Sequence, residues 1–252
     1  MDKENAVLNR YSKASLKQER MLCCPVNYNP KYLEVIPEEI IKKDYGCGDP
    51  TQYIREEEVV LDLGCGCGKN CYIASQIVGP KGKVIGVDFN NDMLSLAKKY
   101  QEEITSKIGW NNVEFHLTKI QDLKSIKNDL INTIISNCVF NLVPYESRKK
   151  LFTEMTRILK QGGKAAISDI VSDKEVPSEL KNDPNLWSGC IAGAFQENGF
   201  IEAFTEAGFS NVEIVKRDEK PWKTINEIKF RSLTVIAYKG KNSSVCKKSS
   251  CC

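Results

Sequence analysis

Histidine is almost missing: a chain of 252 residues carries one, His116. That single count takes Ser-His-Asp catalysis and zinc sites with several imidazoles out of contention. Missing too is an excess of charge of either sign. Thirty-six basic residues stand against 33 acidic ones, a net +3, and the lysines are scattered among acids. No electrostatic case for a nucleic-acid partner arises from that distribution. No apolar run approaches the roughly 20 residues that span a bilayer. The first residues, MDKENAVLNR, lack the apolar stretch of a secretory signal. A cytoplasmic protein without a membrane partner is expected, and nothing calls for an obligate assembly, so a monomer is expected.

Cysteine, by contrast, is plentiful, with 11 copies. In a reducing compartment, thiols at this density read as metal ligands, redox groups or catalytic groups rather than as a disulfide framework. The alternative for any one of them is a small buried hydrophobe. The apolar share, 41%, and the charged share, 27%, are those of an ordinary globular protein.

Along the chain, residues 1–20 suit a helical lead-in and 33–43 (LEVIPEEIIKK) carry helical apolar spacing. An alternation of elements follows. VVLDL (59–63) reads as a buried strand, 69–78 as a helix and KVIGVD (83–88) as a second strand. NDMLSLAKKYQEEI reads as one helix capped by Asn90 or Asn91. Strands are expected at 113–117, 131–136 and 164–170, with a helix over 147–159 stopped by Gln161-Gly162-Gly163. Two late strands are expected at 212–217 and 231–239, before a polar, disordered, Cys-rich tail at 241–252. The pattern predicts a doubly wound, mostly parallel α/β sheet. Four segments are expected: an N-terminal helical cap, 1–57; the central sheet domain, 58–171; a C-terminal region with the last strands, 172–240; and the tail.

After the first strand comes Gly64-Cys65-Gly66-Cys67-Gly68, with glycines at alternate positions and Lys69 where a dinucleotide fingerprint needs its third glycine. Asp62 precedes the loop. Asp88 ends the second strand, where a carboxylate can accept hydrogen bonds from ribose hydroxyls, and Met93 follows where an adenine could rest. Together with the RILKQGGK stretch, this pattern resembles the class I S-adenosylmethionine-dependent methyltransferases over roughly residues 57–171. The resemblance implies a Rossmann-like sheet of about seven strands. It also implies a cofactor site at Asp62, Gly64, Gly66, Gly68, Asp88, Met93 and Ile120.

In that architecture the end of the fourth strand faces the transferable methyl group, which places Cys138 of SNCVFNL at the reaction centre. Cys47 in DYGCGDP and Cys190 in LWSGCIAG lie in glycine-flanked segments expected to fold over the same end. Three thiolates without histidine suggest a soft, thiophilic centre. Zinc favours a fourth ligand and closely paired cysteines, whereas three bonds suit trivalent arsenic. YGCG (45–48), SNCVFNL (136–142) and LWSGCIAGA (186–194) then resemble, in order and spacing, the arsenite S-adenosylmethionine methyltransferases.

That resemblance implies Cys47, Cys138 and Cys190 as arsenic-binding thiolates, with Tyr45 and Asn137 at the cofactor. It implies arsenite or methylarsenite as substrate and a thiol reductant, thioredoxin or glutathione, for turnover. Relatives with a redox cysteine before the last strand would place it near Ile228, and none stands there. Cys23 or Cys24 is the candidate resolving thiol, a packed role being the alternative. Cys65 and Cys67 are expected to be small spacers and Cys71 to be packed. Competing readings are methyl transfer to an ordinary carbon, nitrogen or oxygen acceptor, and arsenic binding without turnover.

Overall fold

The computed structural model describes residues 3–22 and 26–240. Cys23, Cys24 and the tail cysteines lie outside the described residues. Nine strands make one sheet, entered through a cap. The cap holds α1 (Lys3–Leu16), α2 (Pro30–Leu33) and α3 (Glu38–Lys42). Then follow β1 (Val59–Leu63), α4 (Lys69–Val78), β2 (Lys83–Asp88), α5 (Asn91–Lys99), α6 (Gln101–Ile108), β3 (Val113–Leu117) and β4 (Ile131–Asn137). After α7 (Tyr145–Ile158) come β5 (Leu159–Ser172), α8 (Ser178–Lys181), α9 (Pro184–Ser188), β6 (Phe195–Gln196) and α10 (Glu197–Glu206). The chain closes with β7 (Phe209–Arg217), β8 (Lys223–Ile225) and β9 (Ile228–Lys239).

Seven strands form the path β3-β2-β1-β4-β5-β9-β7, with β6 paired to β5 and β8 to β9. The first five run parallel, and β9 enters antiparallel between β5 and β7. The expected Rossmann-like class I methyltransferase sheet is the fold observed.

Alternate side chains of each central strand enter opposite cores, as strand geometry requires. Leu61, Leu63, Ile134, Ala165 and Ile167 join Leu151, Phe152 and Met155 of α7 and Phe200 and Phe204 of α10. Val60, Val84, Ile135 and Ala166 join Ile40 of α3, Tyr72 and Ile73 of α4, and Leu94 and Ile104. Both faces are therefore covered, which is why these strands read as continuous apolar runs. The Asn90 side chain caps α5, accepting from the amides of Asp92 and Met93 at 3.0 and 3.1 Å.

Three expected elements differ. The stretch 33–43 is helical only over α3, with the end of α2 and a turn before it, because Pro37 holds an extended backbone (ψ 142°) and starts α3 as its N-cap. The run from Asn91 breaks at Tyr100 into α5 and α6. Gln161-Gly162-Gly163 does not stop α7; the helix ends at Ile158 and these residues belong to β5. The β4–β5 register shifts there, and a Cβ on Gly163 would lie 2.9 Å from the Asn132 carbonyl oxygen. Glycine permits the close approach of a local irregularity inside a strand.

The cap and the α8–α9 region cover the carboxyl ends of the parallel strands. Arg10 of α1 donates to the Asn185 carbonyl at 2.8 Å, and Asn90 donates to the Leu8 carbonyl at 3.2 Å. Lys119 pairs with Glu4 at 2.7 Å. Among the described residues, no helix is long and apolar enough to cross a membrane.

Candidate functional site

At the carboxyl end of β1 the backbone turns through Gly64 and Gly66, both at positive φ (73° and 53°). A Cβ on Gly64 would stand 2.5 Å from Val139, so only glycine fits. The Gly66 amide donates to one oxygen of Asp88 and the Asn90 amide to the other, each at 2.8 Å. Burial raises the Asp88 carboxyl above its ordinary value, and backbone hydrogen bonds oppose the rise. These groups border a cleft of about 950 Å³, its open mouth included. Tyr45, Met93, Ile120 and Asn137 border it as well. So does Asn70, whose buried side-chain oxygen has no partner among the described residues.

Two residues expected at the cofactor are placed elsewhere. Asp62 does not border the cleft; strand alternation turns it towards α4, where it accepts a hydrogen bond from the Cys71 thiol at 3.3 Å. Burial pushes its carboxyl up to about 7. Gly68 caps α4 at φ 84°, and a Cβ there would meet Phe115 at 3.0 Å and Ala97 at 3.1 Å. It serves helix–sheet contact rather than the cleft.

The loop thiols are buried. Cys65 and Cys71 lie against Gly86, where a Cβ would be 2.9 and 2.8 Å from their sulfurs. Cys67 donates to the Ile40 and Lys43 carbonyls, both at 3.5 Å. Burial pushes Cys65 up to about 11 and raises Cys67 and Cys71 as well. Such thiols hold little thiolate at neutral pH and are poor nucleophiles.

Cys47, Cys138 and Cys190 meet in one buried cluster. Cys138 follows β4 with its amide on the Ser168 carbonyl (2.8 Å) and a left-handed backbone (φ 60°). The Cys47 loop is held from two sides. Its amide and that of Gly48 donate to the Asn137 side-chain oxygen at 2.8 and 3.1 Å, while Ser232 donates to the Cys47 carbonyl at 2.7 Å. Cys190 follows α9 at φ 61°, its thiol donating to the Cys138 carbonyl at 3.4 Å. Cys47 and Cys138 are joined in a disulfide with Cα atoms 5.9 Å apart, where two separate thiolates were expected. Cys138 borders the cleft, so the sulfur cluster and the glycine-lined cavity adjoin.

Several participants carried no sequence signal that was read. Asp169 of β5 puts a carboxylate oxygen within 4.8 Å of the sulfurs of Cys47 and Cys138. Burial pushes it up to about 7 against three backbone donors, those of Ile170, Phe140 and Asn141. An acid at the carboxyl end of the fifth strand was the clue available. Tyr11 of α1 reaches the cleft, its ring meeting Tyr45 edge-on at 5.9 Å. Tyr45 donates to the Ala14 carbonyl at 2.9 Å and accepts from the Glu19 amide at 3.1 Å.

Comparison with known proteins agrees with this geometry. A methyltransferase-domain family model matches residues 54–226. An arsenite methyltransferase of Halobacterium salinarum is 41% identical over 69% of this chain and 43% of its own length. One from Aquipseudomonas alcaligenes is 30% identical over 93% of this chain and 71% of its own. The crystal structure of an arsenic(III) S-adenosylmethionine methyltransferase from Chlamydomonas reinhardtii superposes with a TM-score of 0.78. It is 30% identical and covers 86% of this chain and 75% of that one. The chain thus spans less than half the length of the Halobacterium protein.

Proposed function

The chain belongs to the arsenite methyltransferase family, and from that premise we propose that it methylates trivalent arsenic held by its own cysteines, with S-adenosylmethionine as donor. The observation that carries this reading is the buried cluster of Cys47, Cys138 and Cys190 adjoining the cleft through Cys138. The cap (1–57), the central sheet (58–171) and the C-terminal region (172–240) each supply one of these cysteines. The site is complete within one chain, which supports a monomer.

The cleft suits the donor. The loop at Gly64 and Gly66 leaves room that side chains would fill, Asp88 is an acceptor for ribose hydroxyls, and Met93 and Ile120 offer an apolar wall. Bound there, S-adenosylmethionine supplies an electrophilic sulfonium methyl group. The chain contributes position and exclusion of water, of which the entropic part is worth up to about 7–11 kcal/mol in favourable cases. The arsenic lone pair is the nucleophile, so no general base is needed, in keeping with a single histidine that does not border the cleft.

Transfer leaves arsenic pentavalent. Its return to the trivalent state takes two electrons, supplied when two thiols form a disulfide and release two protons. The Cys47–Cys138 bond is an oxidised form of this kind, and thioredoxin or glutathione resets it by thiol–disulfide exchange. Cys23 and Cys24 stay candidates for the resolving thiol. A reducing cytoplasm and a role in arsenic detoxification fit this chemistry.

The test is incubation of the purified protein with S-adenosylmethionine, arsenite and a thiol reductant, followed by chromatographic speciation of arsenic. Methylated arsenic is expected; its absence under reducing conditions would overturn the proposal.

A further inference from the structure

The hydrogen bonds around Cys138 and Cys190 go beyond what holding a sheet together requires. Asp169 and Asn141 are both fully buried and lie next to the thiols without being thiols. One Asp169 oxygen accepts from the Phe140 amide at 2.8 Å and the Asn141 amide at 3.4 Å. These are the first amides of the short 3₁₀ turn Phe140–Leu142, which follows the left-handed Cys138 by two residues. A carboxylate there satisfies amides that such a turn leaves without partners. The other oxygen accepts from the Asn141 side-chain nitrogen and from the Ile170 amide, both at 2.8 Å.

Asn141 carries the linkage onward. Its side-chain nitrogen also reaches the Ile170 carbonyl at 2.6 Å and the Cys190 carbonyl at 3.3 Å. Its side-chain oxygen accepts from the Phe195 amide at 3.3 Å. The two loops approach so closely that a Cβ on Gly193 would lie 1.9 Å from the Asn141 carbonyl oxygen.

We infer that Asp169 and Asn141 are positioning residues that together set the separation of the Cys138 and Cys190 sulfurs. The inference rests on the arsenic-binding reading above. Cys47 is placed independently, by Asn137 and Ser232. The turn that bears Cys138 is anchored by Asp169; Asn141 ties the loop that bears Cys190 to that anchor, beside the Cys190 thiol on the Cys138 carbonyl (3.4 Å) and Trp187 on the Leu142 carbonyl (3.3 Å). Both cysteines hold left-handed backbones, which non-glycine residues adopt only where surrounding contacts impose them. Three-coordinate arsenic needs all three sulfurs at once, so the Cys138–Cys190 spacing governs arsenite affinity while the cofactor cleft stays as it is.

The test uses the reduced full-length protein and Asn141→Ser, whose hydroxyl is too short to span from Asp169 to Cys190. Asp169→Asn is a second variant, in which an amide nitrogen faces groups that donate. Dibromobimane, which bridges neighbouring thiols, is applied and the bridged peptides are mapped by mass spectrometry. Wild type is expected to yield Cys47–Cys138 and Cys138–Cys190 bridges; the variants keep the first and lose the second. Arsenite affinity, read by tryptophan fluorescence, is expected to fall about tenfold in Asn141→Ser, with S-adenosylmethionine affinity within about twofold of wild type. Unchanged bridging, or parallel loss of both bridges, would overturn the inference. A wild type that shows both bridges but binds no arsenite would sink the arsenic reading and leave the positioning result standing.

Discussion

Replacing Asn137 with alanine removes the clamp on the Cys47 loop, and its cost can be worked from the structure. The amide makes four hydrogen bonds. Its oxygen accepts from Cys47 and Gly48 at 2.8 and 3.1 Å, and its nitrogen donates to the Gly48 carbonyl at 2.6 Å and to Tyr28 at 3.0 Å. At about 1 kcal/mol net for each bond, the ceiling is about 4 kcal/mol. Part of that is recovered, because Tyr28 itself donates to the Gly48 carbonyl at 3.0 Å and keeps it satisfied. The two backbone amides have no such reserve, so about 2–3 kcal/mol is expected. In a chain of this size that lowers Tm by about 5–10 °C. Urea unfolding followed by circular dichroism should show a lower midpoint with an unchanged slope. Asn137→Asp keeps the acceptor for both amides and should lose about half as much. The KM for arsenite should rise in the alanine variant more than that for S-adenosylmethionine. A loss below about 0.5 kcal/mol would refute the clamp.

Gly64→Ala puts a Cβ 2.5 Å from Val139 on a left-handed backbone; a loss of about 1–3 kcal/mol and weaker S-adenosylmethionine binding, measured by calorimetry, are expected. Asp62 holds its proton more tightly folded than unfolded, because burial raises its carboxyl to about 7. Its contribution is therefore fully present below the ordinary carboxylate range and is lost as pH rises towards 7. Asp62→Asn should flatten the fall of the urea midpoint between about pH 5 and 7, and parallel profiles would contradict this. Asp169 titrates in the same window and leaves a residual slope. Serine at Cys65 or Cys67 should keep most arsenite turnover, whereas serine at Cys190 should abolish most of it; equal losses, read by arsenic speciation, would reverse that division.

How far the sequence could be read depends on where each residue finds its partners. β1 and β2 were legible residue for residue, because strands covered on both faces are unbroken apolar runs. Pro37 and the Gly162-Gly163 pair misled in opposite directions: the proline divided an apparently continuous helix, and the glycines lay inside a strand instead of before it. Asp62 looked ligand-facing beside its glycine loop, yet alternation along β1 turns it to Cys71. The convergence of Cys47, Cys138 and Cys190 came from resemblance and fold architecture, since spacing alone cannot bring them together. Asp169 and Asn141 escaped notice because their partners include backbone groups far away in the chain, which leave no periodic trace. Tyr11 escaped for a related reason, as a lead-in helix does not announce what it covers.

The position of β9 bears on how the molecule comes into being. It lies inside the sheet between β5 and β7, with Leu233, Val235 and Ala237 in the larger core, yet it is the last strand to leave the ribosome among those described. Until it emerges, β5 has an open edge lined by Ala165 and Ile167, and β7 has no sheet to join. The nascent chain therefore passes through a state with an unpaired apolar edge, the condition under which strands recruit foreign partners. Substitutions that weaken β9 should then show first as poor yield in the cell, even where the protein that does fold is nearly as stable as its parent.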